Sequence, residues 1–229
     1  MATRAPMKLS PMHRQHLELS ARMVETDGWH LPARYSSVEE EVERLGRTVG
    51  FCDVSPSVKL RLQGAEVESW LARAFPDLGR LDIGAVGKHR SAAVARLTTD
   101  EFLIVAEPNR APSIYDTLGV PGKTCAHIVD ISSALAGVAI AGPSARLLLE
   151  AVTDLDVSPQ VFPDMRCAQA GFAEVHGTLL RLDIGELPYY EVHFGREFAE
   201  YVWDALTEAG EEFEAVPFGT DSMARLRKA

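Results

Sequence analysis

Residues 20–59 read SARMVETDGWHLPARYSSVEEEVERLGRTVGFCDVSPSVK, and this stretch decides the fold. Its middle predicts the start of a helix, because Tyr35, Ser36 and Ser37 are followed by glutamates at 39–41. A serine hydroxyl can cap the first turn, and a glutamate three or four residues later completes a capping box. The acidic side chains also favour the positive end of the helix dipole. We therefore expect Ser36 or Ser37 to cap a helix here.

The composition of the chain limits what it can do. With 229 residues, 46% hydrophobic and 24% charged, it is typical of a soluble globular protein with one large domain or two small ones. A net charge of −10 repels phosphate backbones, which argues against non-specific nucleic-acid binding. No apolar run is long enough to span a bilayer.

The cysteines indicate the compartment. Cys52, Cys125 and Cys167 are odd in number and far apart in the chain, which suits a reducing cytoplasm and buried thiols. The first eleven residues lack the apolar segment of a secretory signal. We expect a cytoplasmic protein. Cys52 lies in an apolar run, where a thiol stays protonated and is a poor nucleophile.

Two parts of the chain share an order of predicted elements. In the first, a strand at 58–62 precedes a helix at 65–75. In the second, a strand at 137–141 precedes a helix at 144–152. A hairpin and a further helix are then predicted in each part. In the first part the two strands are 92–97 and 102–106 and the helix is 113–118. In the second part the strands are 178–182 and 189–194 and the helix is 196–209. Strands alternating with helices, duplicated once, predict two α+β layers related by a pseudo-twofold axis.

The segment Gly84–Lys88 invites comparison with a phosphate-binding loop. It lacks the glycine spacing of that motif, and His89 stands where a hydroxyl residue should follow the lysine. A plain glycine loop is the preferred interpretation.

The histidines are candidates for a metal site. His13 and His16 are spaced to share one helix face, but a third ligand is missing nearby and the chain has no Cys-x-x-Cys motif. We expect both to be exposed polar positions on an N-terminal helix. The other histidines, including His193, are expected on edge strands or at the surface.

Residues 20–59 resemble, without a gap, the opening of the aminomethyltransferase family, which includes the T-protein of the glycine cleavage system. The resemblance runs from about Leu9 to Ala229. The matching positions in the opening stretch are Ala21, Arg22, Met23, Gly28, Trp29, Pro32, Tyr35, Ser36, Ser37, Glu40, Glu41, Gly50, Asp53, Val54, Ser55 and Lys59.

The resemblance implies an α+β fold of two ferredoxin-like units with a pseudo-twofold repeat. Residues 1–57 plus 130–229 would form the first, discontinuous unit, and residues 58–129 the inserted second unit. The chain ends at Ala229, so we expect it to lack the family's C-terminal β-barrel.

Members of this family transfer a one-carbon unit to tetrahydrofolate, whose pterin is held by a glutamate and stacked tyrosines. The resemblance implies Asn109, Glu186 and Tyr189 as folate contacts. Each also has a plain structural role: Glu186 at a turn, Tyr189 on a strand and Asn109 as a loop cap.

One departure from the family concerns its essential aspartate. Arg90 and Ser91 stand where that carboxylate is expected. A guanidinium cannot serve as a general acid or base at neutral pH, and it repels a developing cation. We therefore assign no catalytic residue in this chain.

Two hypotheses follow. The first is a truncated T-protein-like subunit of a tetrahydrofolate-linked one-carbon transfer or demethylation system. In it, a partner polypeptide supplies a barrel domain or an oxidase core, so we expect a hetero-oligomer or, failing that, a homodimer. The alternative is a non-catalytic structural subunit similar to the gamma subunit of heterotetrameric sarcosine oxidase. The well-kept opening stretch favours the first, whereas the lost acid and the missing barrel favour the second.

Overall fold

The computed structural model describes residues 7–119 and 125–228. The elements before residue 58 are β1 (Lys8–Leu9), α1 (His13–Glu18), β2 (Arg22–Thr26), β3 (Trp29–Arg34), α2 (Val38–Arg47) and β4 (Gly50–Asp53). They are followed by β5 (Val58–Gly64), α3 (Val67–Ala74), β6 (Val86–His89), β7 (Ala92–Arg96), β8 (Glu101–Ala106), α4 (Ala111–Leu118) and β9 (Ala126–Asp130). The remaining elements are β10 (Leu135–Ala141), α5 (Ala145–Glu150), β11 (Cys167–Phe172), β12 (Val175–Arg181), β13 (Tyr189–Gly195), α6 (Ala199–Gly210), β14 (Val216–Pro217) and α7 (Thr220–Leu226).

Residues 58–130 build a five-stranded antiparallel sheet in the order β6-β7-β8-β5-β9. Alternate residues of each strand point to one face, so Leu60 and Ile104 pack with Trp70 of α3 and Ile114 of α4. The indole of Trp70 also donates to the carbonyl of Leu118, at 2.8 Å, and so joins the two helices. The predicted hairpin between 92–97 and 102–106 is confirmed.

A six-stranded sheet has the order β11-β12-β13-β10-β4-β14. It draws strands from before residue 58 and from after residue 130. Helices α5 and α6 cover one face, where Phe51 and Val192 pack with Leu148 and Trp203. The Phe51 and Trp203 rings meet edge to face at 4.8 Å. The amphipathic helix predicted near 196–209 is confirmed as α6, after a short helical turn at Arg196–Phe198.

The two sheets pack against each other through their other faces. Ala95 and Val105 of the five-stranded sheet share a buried cluster with Cys167 and Leu180 of the six-stranded sheet. The layers therefore run helix, sheet, sheet, helix, and the predicted mixed α+β class is confirmed. The proposed division at residues 57 and 130 stays a prediction, as does its family-based interpretation.

The opening stretch forms a small third sheet, β1-β3-β2, and then α2. A two-residue turn at Asp27 and Gly28 joins β2 to β3, and both residues have positive φ, as this hairpin turn requires. Helix α2 begins as predicted, because the Ser37 hydroxyl accepts from the Glu40 amide at 3.2 Å. Glu41 completes the start by accepting from the amide of Tyr35 at 2.6 Å.

Candidate functional site

Successive side chains of strand β13 point to opposite faces of the six-stranded sheet. Tyr190, Val192 and Phe194 enter the core beneath α5 and α6. The alternate residues point to the opposite face, which α7 and the five-stranded sheet cover; these are Tyr189, Glu191 and His193. Strand alternation thus places a phenol, a carboxylate and an imidazole together in the interior.

Glu191 is the centre of this group and is 4% exposed. The Tyr189 hydroxyl donates to its Oε1 at 2.7 Å, and Nε2 of His193 lies 3.1 Å from its Oε2. Burial alone raises the pKa of a carboxyl group. Here the hydrogen bonds from His193 and Tyr189, with the charge of Arg227, outweigh burial and lower the Glu191 pKa to about 2. Glu191 is therefore a buried anion at neutral pH.

His193 is a neutral donor to that anion. Burial lowers its pKa, although Glu191 opposes the shift. An ionised carboxylate only accepts, so Nε2 carries the proton and Nδ1 is the bare nitrogen. Nδ1 has no hydrogen-bond partner among the described residues. It lies over Gly137, where an added Cβ would sit 2.7 Å from it.

Arg227, just after α7, approaches the group from its outer side. Its Nη2 lies 3.4 Å from the Tyr189 hydroxyl oxygen and 3.7 Å from Oε1 of Glu191. Its Nη1 lies 3.6 Å from Oε1 of Glu107, which follows β8 of the other sheet. The guanidinium thus stands between carboxylates from both sheets.

Lys59 adds a buried amine nearby and is 0% exposed. Its Nζ donates to the carbonyls of Ser55 and Ser57, at 2.8 and 3.0 Å. Burial lowers its pKa to about 8, although Glu191 and Asp53 oppose this shift. This lysine belongs to the opening stretch that carries the family resemblance.

A second polar cluster lies on the helix-covered face. Nε2 of His16 is 3.0 Å from Oδ2 of Asp53, and its Nδ1 is 2.8 Å from the Tyr35 hydroxyl. Ser10 also donates to Asp53. The expectation that His16 is an exposed position on a terminal helix is therefore wrong, because the ring packs edge to face against Trp203 of α6.

The sequence also led to expectations about His193, a metal site and the segment Gly84–Lys88. His193 is not a surface or edge residue, because β13 lies inside the six-stranded sheet. The described residues contain no group of three or more side chains suited to a metal ion. Gly87 and Lys88 lie within strand β6, so the interpretation of Gly84–Lys88 as a plain glycine loop is wrong for this part of the segment. A phosphate-binding loop, by comparison, leads into a helix.

Cys52 and Cys167 are buried as expected, whereas the expectation of a buried thiol is wrong for Cys125, which is exposed. Burial raises the pKa of the Cys52 thiol well above its usual range, and burial raises that of Cys167 to about 12. Cys52, Cys125 and Cys167 are all free thiols. Protonated, buried thiols such as Cys52 and Cys167 make poor nucleophiles.

The residues suggested by the family resemblance are only partly brought together. Tyr189 lies in the Glu191 group, whereas Glu186 is exposed on the turn between β12 and β13. Asn109 is exposed on the helical turn Pro108–Arg110, close in sequence to Glu107. Arg90 and Ser91 form the exposed tip of the hairpin between β6 and β7, with Arg90 at a φ of 53°.

Glu191 and His193 were missed at the sequence level, although a signal existed. Residues 189–194 read YYEVHF, and both polar residues alternate with apolar ones inside a predicted strand. A carboxylate in the middle of a buried strand is unusual, because its burial needs partners. That signal marks Glu191 rather than Glu186 as the interior carboxylate of this segment.

Comparison with known proteins defines the family of the chain. The sequence model described as "GCVT N-terminal domain" matches residues 12–228. The chain belongs to this family. Among its curated relatives is an aminomethyltransferase of Thermus thermophilus, 31% identical over 243 residues, with 96% of this chain and 65% of that protein covered. Sarcosine oxidase subunit alpha of Rhizobium meliloti (strain 1021) is 26% identical over 254 residues, with 97% of this chain and 25% of that protein covered.

Two solved structures of related proteins share the fold of this chain. The glycine cleavage system aminomethyltransferase T from Bartonella henselae matches with a TM-score of 0.80 at 19% identity, covering 96% of this chain and 62% of that one. A chain of the heterotetrameric sarcosine oxidase from Corynebacterium sp. U-96 matches with a TM-score of 0.68 at 25% identity, covering 90% of this chain and 96% of that one. Within the described residues, no helix has the length and apolar character needed to cross a membrane.

Proposed function

We propose that the chain is a subunit of a multi-chain, cytoplasmic enzyme that transfers one-carbon units to tetrahydrofolate. Membership in the GCVT family supports this proposal. The chain spans 65% of the Thermus aminomethyltransferase and 25% of the Rhizobium oxidase subunit. The match to a chain of the heterotetrameric sarcosine oxidase supports assigning the transfer to an assembly. A partner polypeptide would supply a barrel domain or an oxidase core, giving a hetero-oligomer.

The ionised Glu191 beside Tyr189 carries the proposal. A pterin ring presents adjacent N–H donors along one edge, which suit a carboxylate acceptor. Glu191 is a carboxylate of low pKa, and its Oε1 faces the guanidinium of Arg227, another planar group with several N–H donors. The residues present therefore fit the cofactor. Bound tetrahydrofolate would supply the nitrogen that accepts the one-carbon unit.

Asn109 and Glu186 remain proposed outer contacts of the cofactor, in addition to Tyr189. Both are exposed, so their hydrogen bonds would compete with water and add less affinity than one to a buried carboxylate. Substitution of Glu191 should therefore weaken tetrahydrofolate binding strongly, whereas substitution of Glu186 should weaken it little.

The chain needs an acid from elsewhere. Arg90 and Ser91 offer no carboxylate at the hairpin tip, so we propose that the partner contributes the acid. The purified chain alone should form no methylene- or methyl-tetrahydrofolate from a methylated amine. Turnover at ordinary enzymatic rates without a partner would contradict this division of roles.

Calorimetry with tetrahydrofolate tests the cofactor contact, with Glu186→Gln as the matched control for Glu191→Gln. A charge-assisted hydrogen bond contributes about 1.5–3 kcal/mol, so Glu191→Gln should weaken binding by about tenfold or more. Glu186→Gln should change it little. The reverse pattern would move the pterin contact to Glu186, and no binding to the chain or its native complex would contradict the folate proposal.

A second candidate is a non-catalytic structural subunit similar to the gamma subunit of heterotetrameric sarcosine oxidase. The specific observation in its favour is the match that covers 96% of a chain from the Corynebacterium heterotetramer. The Tyr189 hydroxyl and the His193 ring of this chain also already donate to the Glu191 carboxylate. Purification of the native complex separates the candidates. A flavin-containing oxidase that co-elutes with no folate bound would favour the structural subunit.

We also propose that the two sheets correspond to two ferredoxin-like units related by a pseudo-twofold axis. Support comes from the order β5-α3-β7-β8-α4-β9 and its sheet neighbours β7-β8-β5-β9. In the other sheet, β12-β13-β10-β4 has an equivalent arrangement, with β4 contributed from before residue 58. Glu191 would then lie on the face where the units meet.

A further inference from the structure

The outer face of α6 carries two large aromatic side chains that this chain leaves uncovered. Phe198, in the helical turn just before α6, is 44% exposed, and Tyr201 is 51% exposed. The two residues are three positions apart, so they lie side by side on the helix surface. The core side of α6 is formed by other residues, among them Val202 and Trp203. Neighbouring exposed apolar side chains of this kind mark surfaces that bind another protein.

Two exposed leucines lie on the segments that contact this end of α6. The carbonyl of Leu9 in β1 accepts from Nη2 of Arg196 at 3.2 Å. Leu17 lies one turn after Arg14 in α1, and Nη2 of Arg14 pairs with Oε2 of Glu200 at 2.8 Å. The exposed apolar side chains therefore extend from α6 onto β1 and α1.

The same side of α6 is strongly acidic. Residues 196–214 contain one arginine and seven acidic residues, so this segment holds six of the ten net negative charges of the chain. Glu197, Asp204 and Glu208 lie four, three and seven residues from Tyr201, so they share its side of the helix. All three are exposed, and none makes an ion pair within the described residues. Tyr201 is thus an aromatic residue flanked by unpaired carboxylates.

An open groove of about 600 Å³ lies at the start of α6, and Glu197 and Glu200 form its acidic wall. Gln15 of α1 is 3% exposed, and after the hydrogen bond from Arg14 it also helps to lower the pKa of Glu200, so its amide lies close to that carboxylate. Neither atom of this amide has a hydrogen-bond partner of normal geometry among the described residues. A buried polar group with unused hydrogen-bonding capacity therefore lies beside the groove.

The charge of this face indicates its occupant. A second copy of the chain would bring two acidic faces together, and like charges across an interface are repelled. Nucleic acids and anionic membranes are disfavoured for the same reason. A basic helix with an apolar stripe would instead pack that stripe on Phe198 and Tyr201 and place its lysines and arginines beside the carboxylates.

We propose that the α6 face docks a basic amphipathic helix of a partner polypeptide. The α6 face consists of the two aromatic residues, the acidic residues beside them and the groove wall: Glu197, Phe198, Glu200, Tyr201, Asp204 and Glu208. The docking surface does not depend on folate binding. That the docked chain is the one supplying a barrel domain or an oxidase core rests on the proposed function.

Matched substitutions on two helices test the surface. The partner is recovered from native cells with the tagged chain, then purified and titrated by calorimetry. Tyr201→Ser should weaken its binding about tenfold, because a tyrosine at the centre of an interface is commonly an energetic hot spot. Asp204→Lys should weaken it by a similar factor through like-charge repulsion. Tyr115→Ser and Asp116→Lys are the controls, since both residues are exposed on α4 of the other sheet, and each should leave the affinity nearly unchanged.

The charge pattern provides a second readout. Affinity for the partner should fall as salt concentration rises, because exposed charges are screened. A lysine or arginine of the partner changed to glutamate should restore binding to Asp204→Lys while weakening binding to wild type, which a purely structural role of Asp204 would not produce. Phe198→Ser replaces Tyr201→Ser if that variant does not fold, and the same loss is expected of it.

Three outcomes would overturn the proposal. The first is that the α6 changes leave the affinity unaltered, or lower it no more than the α4 changes do. The second is that native cells yield no partner for the tagged chain. The third is that the purified chain forms a homodimer which Tyr201→Ser dissociates, because a second copy would then be the occupant.

A tetrahydrofolate titration of the same proteins separates this inference from the proposed function. Helix α6 covers the face of the six-stranded sheet opposite to Glu191, so all four variants should bind tetrahydrofolate as wild type does. Partner binding that depends on the α6 face, in a complex that binds no tetrahydrofolate, supports the surface and contradicts the proposed function. Tetrahydrofolate binding with a partner affinity insensitive to the α6 changes contradicts the surface and leaves the function.

Discussion

Nε2 of His16 lies 3.0 Å from Oδ2 of Asp53, and neither side chain is exposed. The contact joins α1 to β4 across 37 residues of sequence. Asp53 also accepts from Ser10 and from the Ser55 amide, the latter at 2.8 Å. Burial raises the pKa of Asp53, but the hydrogen bond and charge of His16 and the other donors outweigh it and hold this pKa below the usual value of 3.8.

Asp53→Asn should destabilise the fold at neutral pH by about 1–3 kcal/mol, because the buried donors lose an ionised acceptor. The folded-state pKa lies below the unfolded value, so this stabilisation is present above pH 3.8 and is lost as pH falls further. Urea denaturation of both proteins from pH 7 to pH 3 measures the difference. A difference that stays constant down to pH 3 would show that the ionisation of Asp53 does not stabilise the protein.

Glu191 should give the protein a second acid-sensitive interaction. Its folded pKa of about 2 lies below the ordinary 4.5, so its stabilisation is present above pH 4.5 and is lost towards pH 2. A shift of this size corresponds to about 3 kcal/mol. Glu191→Gln should remove that part of the pH dependence of unfolding.

His193 should affect stability at a higher pH than Glu191 does, so the two contributions can be separated in the same protein. Burial lowers its folded pKa below 6.5, so the unfolded chain takes up this proton first. Stability from His193 is therefore present above pH 6.5 and declines as pH falls below it. In Glu191→Gln the decline starting near pH 6.5 should remain, and its loss would show that the two groups titrate as one.

Lys59→Met tests the buried amine in the alkaline range. The folded pKa of about 8 lies below the ordinary 10.5, so the lysine disfavours folding at neutral pH and this cost disappears between pH 8 and 10.5. The stability of wild type relative to Lys59→Met should therefore rise across that interval. Chemical denaturation at matched pH values measures it, and a flat difference would contradict the low pKa.

The sequence indicated much of the fold because strands and caps leave local patterns. The Ser37 cap and the alternation in β13 depend on residues within a few positions of one another. The turn at Asp27 and Gly28 has a local signal of the same kind, since Asp-Gly between two strands is a strong hairpin sequence.

Local sequence patterns do not predict the buried polar contacts of the site. His16 is buried because α6 and β4 meet over it, and its own helix of six residues gives no sign of this. Arg227 reaches Glu191 only because the end of α7 comes to rest between two sheets. Such contacts join segments far apart in the chain. A local pattern can therefore mark the buried carboxylate Glu191, but not its partner.

Gly137→Ala should disturb the site without changing any polar group. An added Cβ would lie 2.7 Å from Nδ1 of His193 and 3.2 Å from Cγ2 of Val54, in a region with no free space. Overpacking of this kind costs about 1–3 kcal/mol. Gly171→Ala on β11 is the matched control, because nothing lies within 4 Å of its added Cβ, and it should be neutral or slightly stabilising. Equal melting temperatures for the two variants would contradict the packing of His193 over Gly137.

Glu41→Ala should be among the more damaging single changes, because one buried carboxylate holds three segments together. Its Oε1 accepts from the amides of Tyr35 and Ser36, at 2.6 and 3.1 Å. Its Oε2 accepts from the amide of Gly219 and the hydroxyl of Ser222, which begin α7. Hydrogen bonds to a charged group contribute about 1.5–3 kcal/mol each, so we expect a loss of at least about 3 kcal/mol.

Glu40→Ala provides the control, since Glu40 precedes Glu41 in the same helix turn but makes an exposed ion pair with Arg44 at 3.1 Å. Exposed pairs of this kind contribute less than about 1 kcal/mol. Because Glu41 anchors the helix that leads to Arg227, Glu41→Ala should also increase amide hydrogen exchange in α7, whereas Glu40→Ala should not. Similar unfolding free energies for the two variants, with unchanged exchange in α7, would contradict the role assigned to Glu41.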